Sequence, residues 1–214
     1  MAEKNLDFDT VIDRTHTNSL KYDFAVQRGK PKDVLPLWVA DMDFQVSSYI
    51  QEALAGSVAH GIFGYSEAAG SYFEAVAGWM GRHYGWNVEE PWLVKTPGIV
   101  FALAQAVRAF TEPGDAVLLQ QPVYYPFSQV IRDNGRKIVD NTLVQGEDGR
   151  YRIDFADFEE KIRSCKVKLF FLCNPHNPVG RVWTREELLR LGDICEKYGV
   201  IVVSDEIHAD FVFE

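Results

Sequence analysis

Cysteine is scarce in this chain: Cys165, Cys173 and Cys195 are the only three in 214 residues. They are odd in number, widely spaced, and form no Cys-x-x-Cys pair, so a disulfide framework and a structural zinc or other metal site are poor readings. Cys173 falls in an apolar strand and Cys195 in a helix, the usual setting of buried thiols, and a reducing cytoplasm suits them. Positive charge is in deficit as well. There are 22 lysines and arginines against 31 acids, a formal net charge of -9. Nucleic acid and anionic membranes are bound by clustered cations, so both are poor partners. No apolar run reaches the length of a membrane span. The opening Met1-Ala2-Glu3-Lys4-Asn5-Leu6-Asp7 lacks the apolar core of a signal peptide. There is no internal repeat, no Gly-x-Gly-x-x-Gly or Walker loop, and no Gly-x-Ser-x-Gly elbow. No lysine follows Asp205.

What is present is alternation. The first forty-five residues are polar and irregular until Leu35 to Phe44, which reads as a short strand and a turn. From Val46 on, helices and strands take turns. Ser47 or Ser48 caps a helix to about Val58. Gly70-Ser71 opens another, with Tyr72, Phe73, Val76, Trp79, Met80 and Tyr84 at helical spacing. Trp92 to Lys95 is strand-like, and Ile99 to Phe110 is a helix with Leu103, Ala106, Val107 and Phe110 on one side. Ala116 to Leu119 is a buried strand, and Tyr125 to Asn134 a helix stopped at Gly135. Lys137 to Leu143 is a strand, Gly146 to Gly149 a turn, and Asp154 caps a helix to about Arg163. A capping box, Thr184-Arg185-Glu186-Glu187, opens a helix that Gly199 closes. Apolar strands at 116–119, 169–172 and 200–203 fit a doubly covered sheet. The expected fold is therefore α/β, a mostly parallel sheet with helices on both faces. Residues 1–45 stand apart from the alternating pattern of 46–214.

In such sheets ligands gather at the carboxyl ends of strands, and several residues fall there. Asp205 ends an apolar strand. Alone it is most often a cap or a surface acid; in company it can hold a protonated ring nitrogen, a bond worth roughly 1.5–3 kcal/mol. Asn177 lies between Pro175 and Pro178. It is equally a turn residue or an amide donor to a ring oxygen, and the Pro178 bond is a candidate for cis. Among Tyr124, Tyr125 and Phe127, one aromatic could stack on a flat group, while Tyr125 and Phe127 read as core. Gly98 leads into the helix at Ile99, whose free N–H groups could take a phosphate. His208 lies three residues past Asp205. His16, His60, His83 and His176 carry no pattern.

Taken together, PVYYPF (122–127), NPHNPVG (174–180) and SDEIH (204–208) resemble the fold-type I pyridoxal-phosphate enzymes of the class I/II aminotransferase superfamily. WVADMDF (38–44), FGY (63–65) and the histidine at 208 resemble its cystathionine β-lyase-like branch. The resemblance implies pyridoxal 5'-phosphate as cofactor. Asp205 would pair with the pyridine nitrogen, Asn177 would donate to the phenolic oxygen, and His208 would lie near that oxygen. Tyr124 would stack on the ring. The N–H groups of Ile99 and Val100, with Gly98 giving close approach, would hold the phosphate. Tyr65 would reach the phosphate of the neighbouring subunit of a homodimer, and Ala40 would line the substrate side. The activity implied is carbon–sulfur β-lysis of cystathionine or cysteine conjugates to a thiol, pyruvate and ammonia. Transamination, or a regulatory role on the same scaffold, stands as the alternative. The family's Schiff-base lysine is expected beyond Glu214, so the chain is read as truncated relative to the family and as inactive by itself.

Overall fold

Short polar caps and glycines punctuate the chain into alternating elements. The computed structural model describes residues 7–212. In chain order these are α1 (Ser48–His60), α2 (Gly70–Tyr84), α3 (Ile99–Phe110), β1 (Ala116–Leu119), α4 (Pro126–Asp133) and β2 (Lys137–Asp140). They are followed by β3 (Val144–Gln145), β4 (Tyr151–Arg152), α5 (Phe155–Cys165), β5 (Leu169–Cys173), α6 (Arg185–Tyr198) and β6 (Ile201–Asp205). Ser47 caps α1, its Oγ accepting from the Tyr49 N–H at 3.3 Å. Asp154 caps α5, Oδ1 accepting from Ala156 and Asp157 at 3.0 Å each. The Thr184–Glu187 capping box is reciprocal, at 3.2 and 2.8 Å. Gly199 ends α6 at φ 67°, a left-handed position that glycine adopts freely.

The chain divides into two compact units, Met1–Tyr72 and Phe73–Glu214. Within the first, Arg14 bridges two acids, Asp41 at 2.6 Å and Asp43 at 2.5 Å. The ammonium of buried Lys21 donates to the Asp41 carbonyl at 3.0 Å. Within the second, four strands pair in parallel in the order β2-β1-β5-β6, and β3 with β4 makes a separate antiparallel hairpin.

The core lies on both sides of the sheet, because successive strand residues face opposite ways. Leu118 and Phe170 join Phe158, Ile162 and Leu191 from α5 and α6. Val117, Leu119, Leu169 and Phe171 join Leu103, Val107, Phe127 and Ile131 from α3 and α4. Edge-on aromatic pairs sit on each side, Phe158–Phe170 at 5.0 Å and Phe127–Phe171 at 5.6 Å. Among the described residues no helix is long and apolar enough to cross a membrane.

Several expectations from sequence need correction. Leu35 to Phe44 forms no strand: Val39 takes φ 64°, which interrupts an extended run, and no ladder partner lies beside it. Trp92 to Lys95 is not a strand either. A 3-10 turn over Glu90–Trp92, with Pro91 in its first turn, leads into Leu93, which is extended but joins no strand. β2 ends at Asp140, short of Leu143; beyond it Asn141 still donates its N–H to the Leu119 carbonyl at 3.0 Å, while its buried side-chain amide turns to the Asp154 carbonyl and the Asp157 carboxylate. Phe110 is half exposed, since α3 meets the sheet through Leu103 and Val107 and the helix ends beyond that contact. Full cover holds for β1 and β5 but not for β6, whose edge position leaves Ile201 and Val202 partly open.

The core argument is testable by urea unfolding. Phe170→Ala is expected to cost about 3–5 kcal/mol. Thr184→Ala, which removes one cap, is expected to cost about 1 kcal/mol.

Candidate functional site

Parallel pairing sends the carboxyl ends of β1, β5 and β6 to one edge of the sheet, and main-chain hydrogen bonds lace the three loops that leave them. Cys173 stands beside Asp205 in the β5–β6 register. The Asn174 N–H donates to the Asp205 carbonyl at 3.0 Å, and the Tyr124 N–H donates to the Asn177 carbonyl at 3.0 Å. The loop after β1 is thereby tied to the loop after β5, and that loop to the end of β6. The peptide bonds before Pro122, Pro175 and Pro178 are all cis. Pro178 was anticipated as such; the other two were not.

Asp205 is buried, 7% exposed. Its Oδ1 accepts from the Ile207 N–H at 3.1 Å. Among the described residues Oδ2 has no partner. Burial pushes the carboxyl's pKa up, while the Ile207 N–H and nearby His208 pull it down and Glu206 adds to the rise. A buried carboxylate with one oxygen unserved is suited to a cationic donor. The side-chain amide of Asn177 likewise makes no hydrogen bond among the described residues; only its main chain is engaged, the N–H at 3.4 Å from the Cys173 sulfur. That thiol donates in turn to the Pro175 carbonyl at 3.4 Å. Burial lifts its pKa to about 11, so it remains a thiol.

The ring of Tyr124 is 40% exposed. Tyr125 is a correction: it is 72% exposed rather than core, because α4 begins at Pro126 and turns Phe127, not Tyr125, into the sheet. The two tyrosine rings meet edge-on at 5.3 Å. At the start of α3, Gly98 is the N-cap with no side-chain cap bond. The first N–H groups of a helix have no intrahelical acceptor, and those of Ile99 and Val100 belong to this set. A β-carbon on Gly98 would meet nothing within 4 Å, so the space beside this helix start is open. His208 precedes the 3-10 turn Ala209–Phe211, and its side chain makes no cap bond there. Tyr65 and Ala40 lie in the first unit, both exposed. Cys173 is a buried thiol, as its apolar strand implies, and its sulfur meets the Asn177 N–H; His176, which carries no pattern in the sequence, is buried against the Pro122 carbonyl. The histidine's place inside NPHNPVG was the one signal available.

Three loops at one edge of the parallel sheet thus carry a carboxylate and an amide with free hydrogen-bonding capacity and a partly exposed tyrosine. The family model for aminotransferase class I and II matches residues 32–214, and the chain belongs to that family. It is 49% identical over 207 residues to cystathionine beta-lyase PatB of Bacillus subtilis, covering 97% of this chain and 53% of that protein. Two solved structures are similar. Cystalysin from Treponema denticola, which contains a pyridoxal 5'-phosphate cofactor, matches with a TM-score of 0.88 and 38% identity, over 96% of this chain and 52% of that one. The PLP-bound C-S lyase from Staphylococcus hominis matches with a TM-score of 0.88 and 36% identity, over 96% and 52%. The chain thus spans about half the length of the curated relatives it matches.

The raised pKa of Asp205 carries a sign. A folded-state value above the unfolded one favours the fold below the unfolded pKa, and that contribution is lost as pH rises through the folded value. Asp205→Asn is therefore expected to raise, not lower, the melting temperature of the ligand-free chain at pH 7, and to flatten its dependence on pH. Calorimetry from pH 4 to 8 checks both.

Proposed function

We propose that this chain supplies the cofactor-holding part of a pyridoxal-phosphate-dependent carbon–sulfur β-lyase. Its substrate would be a sulfur amino acid such as cystathionine, and its products a thiol, pyruvate and ammonia. The observation that carries the reading is the buried Asp205 carboxylate with one oxygen unserved, on the loop edge it shares with Asn177 and Tyr124. The names of the relatives supply the direction toward sulfur.

The cofactor, when bound, supplies an electron sink that stabilises negative charge at the substrate's α-carbon. The chain's own part is to hold and tune it. Asp205 would accept from the ring nitrogen and keep it protonated. Asn177 would donate to the phenolic oxygen through its side-chain amide, and His208 would lie near that oxygen. Tyr124 would cover one face of the ring. The Ile99 and Val100 N–H groups take the phosphate, with Gly98 leaving room. Ala40 on the substrate side, and Tyr65 serving the neighbouring subunit of a homodimer, rest on the resemblance alone. So does the division into an N-terminal arm over 1–45 and a cofactor-binding domain from 46. A cytoplasmic setting is favoured by three unpaired thiols. The lysine that anchors the cofactor and moves the α-proton is expected beyond Glu214, so the 214 residues alone are expected to bind and orient without turnover.

Incubating the full-length protein with L-cystathionine decides the reaction. Pyruvate and thiol released without added keto acid are the expected result; a strict requirement for a keto-acid acceptor would make it an aminotransferase. Asp205→Asn is expected to lower kcat/KM by about 10²–10³-fold, the usual effect of removing one preorganised electrostatic contact.

A further inference from the structure

His176 is buried, 2% exposed, while its neighbours from Asn174 to Gly180 are half-buried or open. Its Nε2 lies 3.0 Å from the Pro122 carbonyl. A carbonyl can only accept, so Nε2 carries the proton and donates. Nδ1 is then unprotonated and has no hydrogen-bond partner. Burial pushes the imidazole's pKa down, although the carbonyls of Pro122, Gln120 and Cys173 pull the other way. A neutral ring here avoids burying a charge.

The imidazole sits between two loops. Its ring meets Trp183 edge-on at 5.4 Å, and the Trp183 indole N–H donates to the Cys173 carbonyl at 3.1 Å. Its own main chain is fixed on both sides: the His176 N–H donates to the Arg181 carbonyl at 2.7 Å, and the Gly180 N–H to the His176 carbonyl at 2.9 Å. On one side of the Nε2–carbonyl bond, Pro122 is two residues from Tyr124; on the other, His176 is bonded to Asn177. The main-chain bond from Tyr124 to Asn177 closes the same loop. A phenylalanine would fill the space and leave no unpaired nitrogen, yet the position holds a donor.

We propose that His176 is a positioning residue: its Nε2–H fixes the Pro122 turn against the Asn177 loop, so that Tyr124 and Asn177 keep the spacing a shared ring requires. This rests on the functional reading above. It assigns a use to a histidine outside the set named for holding the cofactor.

Three variants test it in the full-length protein. His176→Phe keeps a ring and removes the donor. His176→Gln returns an N–H near the Nε2 position. His176→Asn carries an amide too short to reach the Pro122 carbonyl. Two quantities are read: amide hydrogen exchange of the Tyr124 N–H, which needs no cofactor, and the affinity for added pyridoxal 5'-phosphate, followed by visible circular dichroism. Phe and Asn are expected to speed Tyr124 exchange about tenfold and to weaken cofactor binding about three- to tenfold, the range of one lost hydrogen bond. Gln is expected to restore both to within about twofold of the natural protein. If His176→Phe does not fold, the Asn–Gln comparison carries the same test. Unchanged Tyr124 exchange in Phe and Asn overturns the positioning role, whatever the cofactor does. Failure of Gln to restore either quantity overturns it as well, since bulk rather than the donor would then matter. Faster exchange in variants of a protein that, unmutated, binds no pyridoxal phosphate overturns the functional reading and, with it, the role toward a ring.

Discussion

A largely buried carboxylate at the end of a strand is the constraint on which the site depends. Asp205 is placed by the β5–β6 register and by the Asn174 N–H on its carbonyl. Its side chain receives one hydrogen bond where a buried carboxylate has room for several. Left alone, such a group raises its pKa and weakens the fold at neutral pH. Given a cationic partner, the same burial makes the attraction stronger than it would be in water. The local cost and the functional gain therefore have one origin, and the pairing of the two is what makes Asp205 more than a cap.

The rest of the second unit serves to put other groups beside that carboxylate. Leu118 and Phe170 seal one face of the sheet and Val117, Leu119 and Phe171 the other, so β1, β5 and β6 end at a common edge with little freedom. Loops are the weak part of such a scaffold. Here the loops after β1 and β5 are bound to each other through the Tyr124 N–H and the Asn177 carbonyl, with the Cys173 thiol and the His176 imidazole as side-chain supports below. In the first unit Arg14 and Lys21 steady the acids on either side of Met42 in the same manner, by charge and by a carbonyl contact.

Much of this was legible in the sequence where the signal is local. A capping box and a terminal glycine fix α6 within a few residues of chain, and an apolar tetrad bounded by turn residues fixes β1. The resemblance of three short motifs singled out Asp205, Asn177 and Tyr124, whose loops the structure ties together by main-chain hydrogen bonds. What was not legible is what depends on distant partners. Leu35 to Phe44 and Trp92 to Lys95 are apolar enough for strands, but apolarity reports a tendency to be buried, not the presence of a ladder to join. Tyr125 and Phe127 are equivalent in sequence and opposite in exposure because the first turn of α4 decides which faces the sheet. His176 carried no pattern because its partner is the carbonyl of Pro122, fifty-four residues away, an acceptor any residue type could have supplied.

The central claim is that Asp205 keeps a heterocyclic nitrogen protonated. The nitrogen-15 chemical shift of ring-labelled pyridoxal 5'-phosphate bound to the full-length protein reads this directly. A pyridinium shift that stays constant from pH 6 to 9, and moves toward the neutral pyridine value in Asp205→Ala, is the expected result. A neutral pyridine shift in the unmutated protein, or a pyridinium shift indifferent to the loss of Asp205, would contradict the account.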